Sequence, residues 1–235
     1  MEDETIRAVA EAAKEVAATG GKAIDSINAV GAAFSRFFGP PSSEVSGMIC
    51  DHLKHIRLER QVRLYERTVE FMRQRGFRAP TRTLPLKLAV PLLEAATLED
   101  DNSLQDVWAR MLVNATDINH SGELSRSFIV ILEQLSSLEV QMLDQIYELE
   151  LDDDPETGVL TSNLPISVTA SHVNTVAWTE TTDPTATICL GLANLSRLGC
   201  IRATETFGGG PVYRLVFPTI LGKALHSMCS ARSTD

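Results

Sequence analysis

Apolar positions recur at steps of three and four along most of this chain, and alternate only near its end. From residue 4 to 38 the stripe Val9, Ala13, Val16, Gly20, Ile24, Ile27, Gly31, Phe34 and Phe38 shares one face of a single long helix. Gly39-Pro40-Pro41 stops it, because proline cannot continue a helix, and Ser42 or Ser43 is placed to cap the next. A second long helix is expected over residues 44–75, where Leu58, Val62, Tyr65, Val69 and Met72 step 4-3-4-3. Pro80 and Pro85 mark a linker into a short apolar helix, Leu86 to Ala96. Ser103 to Asp106 then has the spacing of a capping box, and Leu104, Trp108, Met111 and Ala115 form the inward stripe of the helix it opens. Ser127 to Leu135 reads as a further helix. Ser136 to Glu139 is a second capping box, opening a helix that runs to Glu150, and the acidic stretch Leu151 to Gly158 reads as a loop.

Beyond that loop the pattern shifts. Ile166 to Trp178 is rich in Thr, Val and Asn, which favours a short, irregular or partly extended segment. Asp183 and Pro184 suit the N-cap and first position of a helix carrying Ile188, Leu192 and Leu195 inward, and Gly199 suits its left-handed stop. Cys200 to Thr206 and Val212 to Phe217 are strand-like around a Gly-rich hairpin turn, and Thr219 to Cys229 closes the segment as a helix. Taken with the helix at 137–150, this order is similar to a winged helix-turn-helix. The expected fold is mainly α: an elongated N-terminal helical bundle, then a small winged-helix-like α+β domain. The expected divisions are 1–43, 44–135 and 136–235.

Charge changes this picture more than composition does. The 235 residues are 44% hydrophobic and 22% charged, as in ordinary globular proteins, with a formal charge of −10. Yet Lys54 to Lys87 holds ten Lys and Arg against three Glu. Within it Arg57, Arg60, Arg63 and Arg67 fall opposite the Leu58–Met72 seam and are expected to be largely exposed. Two readings follow. The face binds an anionic partner through phosphate, from nucleic acid or lipid headgroups, or it pairs with acidic segments such as Glu99 to Asp101 or Asp152 to Asp154. The winged-helix segment lacks DNA-binding chemistry. Its candidate recognition helix has one basic residue, Arg197, and outward positions at Thr185, Thr187, Gly191 and Asn194; the wing, Glu205 to Pro211, has neither Lys nor Arg. Phosphate contacts dominate duplex affinity, so a protein-interaction role fits that domain better.

Other chemistry is thin. Cys50, Cys189, Cys200 and Cys229 form no CxxC pair, and the acidic start MEDETIRAVAEAA has no basic leader, so free thiols in a reducing cytoplasm are expected. Cys50, His52 and His55 offer metal ligands without a second ligand pair at zinc-like spacing. Glu99-Asp100-Asp101 reads as acidic side chains at a helix N-terminus, favoured there by the backbone dipole. His120, beside Ser121 and Gly122, reads as a solvated turn residue. No nucleophile elbow and no phosphate loop is present, since Gly208-Gly209-Gly210 joins two strands. Neither a catalytic residue, a cofactor nor a bound metal is expected. The 4–38 stripe cannot be buried by one helix alone, so it must pack within the chain or across a dimer; a homo-oligomer is expected, with a membrane-surface role for that helix as the competing reading.

Three segments resemble one known family. They are GMICDHLKHIRLERQVRLYERTVEFMRQRG (Gly47 to Gly76), PTRTLPLKLAVPLLEAA (Pro80 to Ala96) and LEDDNSLQDVWARMLVNA (Leu98 to Ala115). Together they look like the abortive-infection alpha family over residues 45–147. That resemblance implies a setting in bacterial defence against phage and brings no catalytic residue with it. The function expected is therefore non-enzymatic interaction with a phage or host protein. A nucleic-acid-binding regulator built on helix 54–78 and a membrane-active effector built on helix 4–38 stand as alternatives.

Overall fold

The computed structural model describes Phe37 and residues 58–151, 154–176, 178, 181–205 and 208–231. The expected helix 4–38 apart from Phe37, the start of the expected helix 44–75, and Cys50, His52, His55 and Arg57 lie outside them. Among the described residues the fold is α+β, with seven helices and one four-stranded antiparallel sheet. Packing divides the chain into two units. One comprises residues up to Val130 together with Met228 onward, and the other Ile131 to Ser227.

The first unit is built on α1 (Leu58–Gln74), α2 (Leu86–Leu98) and α3 (Asn102–Ala115), followed by the start of α4 (Arg126–Leu132). α3 is its centre. Leu104, Val107, Trp108, Ala109, Met111, Leu112, Val113 and Ala115 are all buried, Trp108 to 1% exposure. The covered face of α1 is wider than its apolar seam. Gln61, Leu64, Thr68 and Phe71 are buried beside Val62, Tyr65 and Met72. A buried threonine hydroxyl is tolerated because it donates back along its own helix, and Thr68 bonds the Leu64 carbonyl at 2.7 Å. Pro91 lies inside α2 without breaking it. The carbonyl its missing N–H leaves free, that of Lys87, faces Arg126 Nη1 at 3.5 Å. Phe37, 1% exposed, accepts from Leu84 N at 3.0 Å through its carbonyl.

Where α3 begins differs from the capping box expected at Ser103 and Asp106. Asp101 is the N-cap, and its carboxylate accepts from Ser103 N at 2.7 Å and Leu104 N at 3.1 Å. A carboxylate outcompetes a serine hydroxyl for amides at the positive end of a helix, so the helix starts two residues earlier than the box implied.

The second unit joins α5 (Ser137–Glu148), α6 (Ala186–Arg197) and most of α7 (Ile220–Cys229) to the sheet. Its strands β1 (Thr157–Leu160), β2 (Thr169–His172), β3 (Ile201–Glu205) and β4 (Pro211–Pro218) lie in the order β2-β1-β4-β3. The Ser136–Glu139 capping box is formed: Glu139 N donates to Ser136 Oγ at 3.3 Å, and Ser136 N donates to Glu139 Oε2 at 2.6 Å. Gly199 closes α6 with φ of +75°, and Cys200 N reaches back to the Leu195 carbonyl at 2.9 Å. β3 and β4 make the expected hairpin, with a bulge at Ala203/Thr204. The Thr-rich segment before α6 supplies the extended β2, paired to β1 from Thr157↔His172 to Leu160↔Thr169. Gly158 is required in β1, since a Cβ there would sit 2.9 Å from the Val216 carbonyl oxygen.

The N-cap of α6 is Thr185, not Asp183. Asp183 is committed elsewhere, to a two-pronged pair with Arg214 of β4 at 2.5 and 2.8 Å. That fork geometry suits a carboxylate better than a single capping contact.

Candidate interaction surfaces

Of the four arginines read as an anion-binding face, Arg57 is outside the described residues and the other three turn inward. Arg60 Nη1 donates to Asn102 Oδ1 at 2.8 Å, and its Nη2 to the Asp100 carbonyl at 2.6 Å. Arg63 donates to Gln105 Oε1 at 2.9 Å, to the Asn102 carbonyl at 3.0 Å and to Asp106 Oδ1 at 2.8 Å. Arg67 grips both Asp106 oxygens, at 2.9 and 2.6 Å, and pairs with Glu70. Its guanidinium also lies 4.5 Å over the Phe71 ring.

The expectation that these arginines are largely exposed is therefore corrected. Their side chains are 21%, 27% and 27% exposed. Because Gln61, Leu64 and Thr68 are buried, the covered stripe is rotated toward the arginines, and the exposed positions of α1 are Glu59, Glu66, Glu70, Arg73 and Gln74. Burial alone would raise the Asp106 carboxyl, but the hydrogen bonds and charges of Arg67 and Arg63 together hold it below the usual carboxylate range. The segment from Asp100 to Asp106 thus acts as a dock for α1. Gln105, fully buried, ties it further by donating to the Arg60 carbonyl at 3.0 Å and the Ala96 carbonyl at 3.2 Å. A polar pattern of Asp, Asn, Gln and Asp at these spacings, facing Arg at i, i+3 and i+7, was the signal in the sequence that could have paired the two segments.

His120 also departs from its expectation. The ring is 4% exposed rather than solvated, and neither nitrogen has a hydrogen-bond partner among the described residues. Burial, then the charges of Arg75 and Arg82, hold its pKa below the ordinary imidazole value against the opposing pull of Asp117.

In the second unit α6 has one side on α5. Gly191, expected to face outward, is buried there: a Cβ would lie 2.3 Å from Met142 Cε. Asn194, also expected outward, donates to Glu139 Oε1 at 2.7 Å and to the Gln134 carbonyl at 3.0 Å, so its amide is occupied. Arg197 is held by Asn194 Oδ1 at 2.7 Å and Gln134 Oε1 at 3.0 Å. The exposed positions of α6 are Ala186, Thr187, Leu190 and Arg197, with Leu190 73% exposed. A groove of about 520 Å³ lies nearby on the same unit, lined by Trp178, Asp183, Thr204, Glu205, Val212 and Arg214.

Among the described residues no group of three His, Cys, Asp or Glu side chains is placed to hold a metal ion. No helix among them is long and apolar enough to cross a membrane. Cys189, Cys200 and Cys229 are free thiols.

The described parts of the three family-like segments build α1, α2 and α3, with the arginine row docked on the acidic start of α3. The family model for abortive infection alpha matches residues 57–219, well over half of the chain, and spans both units. The chain belongs to the abortive infection alpha family. Comparison with curated proteins gives no match, and neither does comparison with solved structures.

Proposed function

We propose that the protein serves an abortive-infection response to phage by binding another protein, without catalysing a reaction. The observation that carries this reading is the outward face of α6. Its prominent residue is Leu190, 73% exposed between Ala186 and Thr187 on one side and Arg197 on the other, and Arg197 is already bonded within the chain. Exposed apolar side chains on a helix suit a protein partner, which buries them; they suit DNA poorly, since a duplex binder needs several cations aimed at phosphate. The order α5, β1, α6, β3, β4 supports reading the second unit as a winged helix in which the extended β2 segment stands where a middle helix would be. On this reading α6 holds the place of the recognition helix with its chemistry changed from basic to apolar.

The arginine row is assigned to the fold. An anionic partner at Arg63 or Arg67 would have to displace Asp106, a carboxylate already in place and already desolvated. A reducing cytoplasm suits the three free thiols, and assembly into a homo-oligomer remains the reading for the helix-forming stripe at 4–38. The test is phage plating on cells carrying Leu190→Asp, with a thermal melt of the purified variant beside it. The expected outcome is an unchanged melt and lost protection. Full protection by a well-expressed Leu190→Asp protein would remove the basis of the proposal.

A further inference from the structure

The loop after α3 places His120 where a neutral ring fits and a charged one does not. It is enclosed by three segments of the first unit. Gly122 covers it so closely that a Cβ would lie 3.1 Å from Nε2, and Met228 Cε lies 3.3 Å from that same position. Two cations act on it through their charge. Arg75, at the end of α1, bonds Asn114 Oδ1 and the carbonyls of Ser230 at 3.2 Å and Ala231 at 3.1 Å. Arg82, from the linker before α2, bonds the Ala115 carbonyl at 3.1 Å and the Gly122 carbonyl at 3.3 Å. The opposing charge is Asp117, on the same loop as His120, whose Oδ1 accepts from Asn119 N at 2.9 Å. Asn114 adds to the hold on the chain end, donating to the Met228 carbonyl at 2.9 Å and the Ser230 carbonyl at 3.1 Å.

We propose that His120 is an acid-sensitive latch: neutral, it fills the space between Arg75, Arg82 and Met228, and its protonation releases residues 228–231 from α3. Adding a proton introduces a third positive charge beside two guanidiniums, in a space with no acceptor for either ring N–H among the described residues. The guanidiniums cannot lose their charge, so the strain falls on the contacts they make, and those of Arg75 run to Ser230 and Ala231. The direction in pH follows from the depressed folded-state pKa. The latch contributes fully above the unfolded imidazole value of about 6.5 and is lost as pH falls through the lower folded value. Each unit of that difference corresponds to about a tenfold change in the opening equilibrium. Carboxylates such as Asp106 titrate in the same direction only below about pH 4, a separate window.

The test is amide hydrogen exchange at residues 228–231 of the full chain from pH 7.5 to 5, corrected for the intrinsic rate. The expected result is opening that rises as pH falls below about 6.5 in the parent. His120→Phe, a ring of similar shape that cannot titrate, should stay closed throughout, and His120→Leu should do the same. An unchanged parent, or an equal acid step in either variant, would overturn the proposal. So would failure of both variants to fold at pH 7.5, because the neutral ring is proposed to act as apolar filler and an apolar replacement must then be tolerated.

Discussion

Replacing Asp106 by Asn removes the charge that Arg63 and Arg67 share while keeping the side chain's shape. In the folded protein the carboxylate takes three arginine hydrogen bonds between 2.6 and 2.9 Å, and its own side chain is 18% exposed. Hydrogen bonds to charged groups contribute about 1.5–3 kcal/mol each when well sheltered. Exposed pairs contribute about 0–1 kcal/mol, and the arginines at 27% exposure lie between these limits. Three bonds shared by one carboxylate are not additive, so the expected loss for Asp106→Asn is about 2–3 kcal/mol. Urea denaturation of the parent, Asp106→Asn, Arg67→Gln and the double variant forms a thermodynamic cycle. The coupling expected between Asp106 and Arg67 is about 1–2 kcal/mol, decreasing modestly as salt is raised. A coupling near zero, with Asp106→Asn costing less than about 0.5 kcal/mol, would show that the arginine row is not held by α3 and would return it to the solvent as a binding face.

Other substitutions probe separate parts of the argument. Trp108→Ala, at the fully covered centre of α3, should cost about 3–5 kcal/mol by chemical denaturation. Gly222→Ala should cost about 3 kcal/mol or more in the same measurement, because the new Cβ would lie 2.0 Å from the backbone Cys200 carbonyl oxygen and 2.1 Å from the Tyr147 hydroxyl, which hydrogen bonds to Cys200 and Thr219 hold in place. Native alkylation at pH 8 followed by peptide mass analysis should label Cys189 well before Cys200, whose buried thiol is pushed up to about 11 and stays protonated.

Local rules carried the reading furthest where a residue acts on its own neighbours. The Ser136–Glu139 box, the Gly199 stop and the β3–β4 hairpin depend on contacts a few residues apart, and each formed as expected. Long-range competition decided the rest. Asp183 had good capping chemistry, but Arg214, 31 residues away, took its carboxylate and left the cap to Thr185. Asp106 had good capping-box spacing, but Arg63 and Arg67 took it and Asp101 capped α3. The arginine row looked solvent-facing because its opposite side is the most apolar. Burial of Gln61 and Thr68 turned the covered stripe toward the arginines, and buried polar residues leave no hydrophobic signature. A histidine between Asn119 and Ser121 likewise has no local feature that announces the burial of His120 beside Gly122. On α6, helical spacing alone turns Gly191 and Asn194 outward, and only the packing of α5 shows that both are covered while Leu190 is not.

The claim that α6 meets a protein partner is tested most directly by placing a photo-crosslinking residue at position 190 in cells exposed to phage. Gln141, exposed on α5, serves as the comparison site. Irradiation during infection should give a discrete protein adduct at 190 and none at 141. A nucleic-acid adduct at 190, or no adduct there in cells that still resist phage, would contradict it.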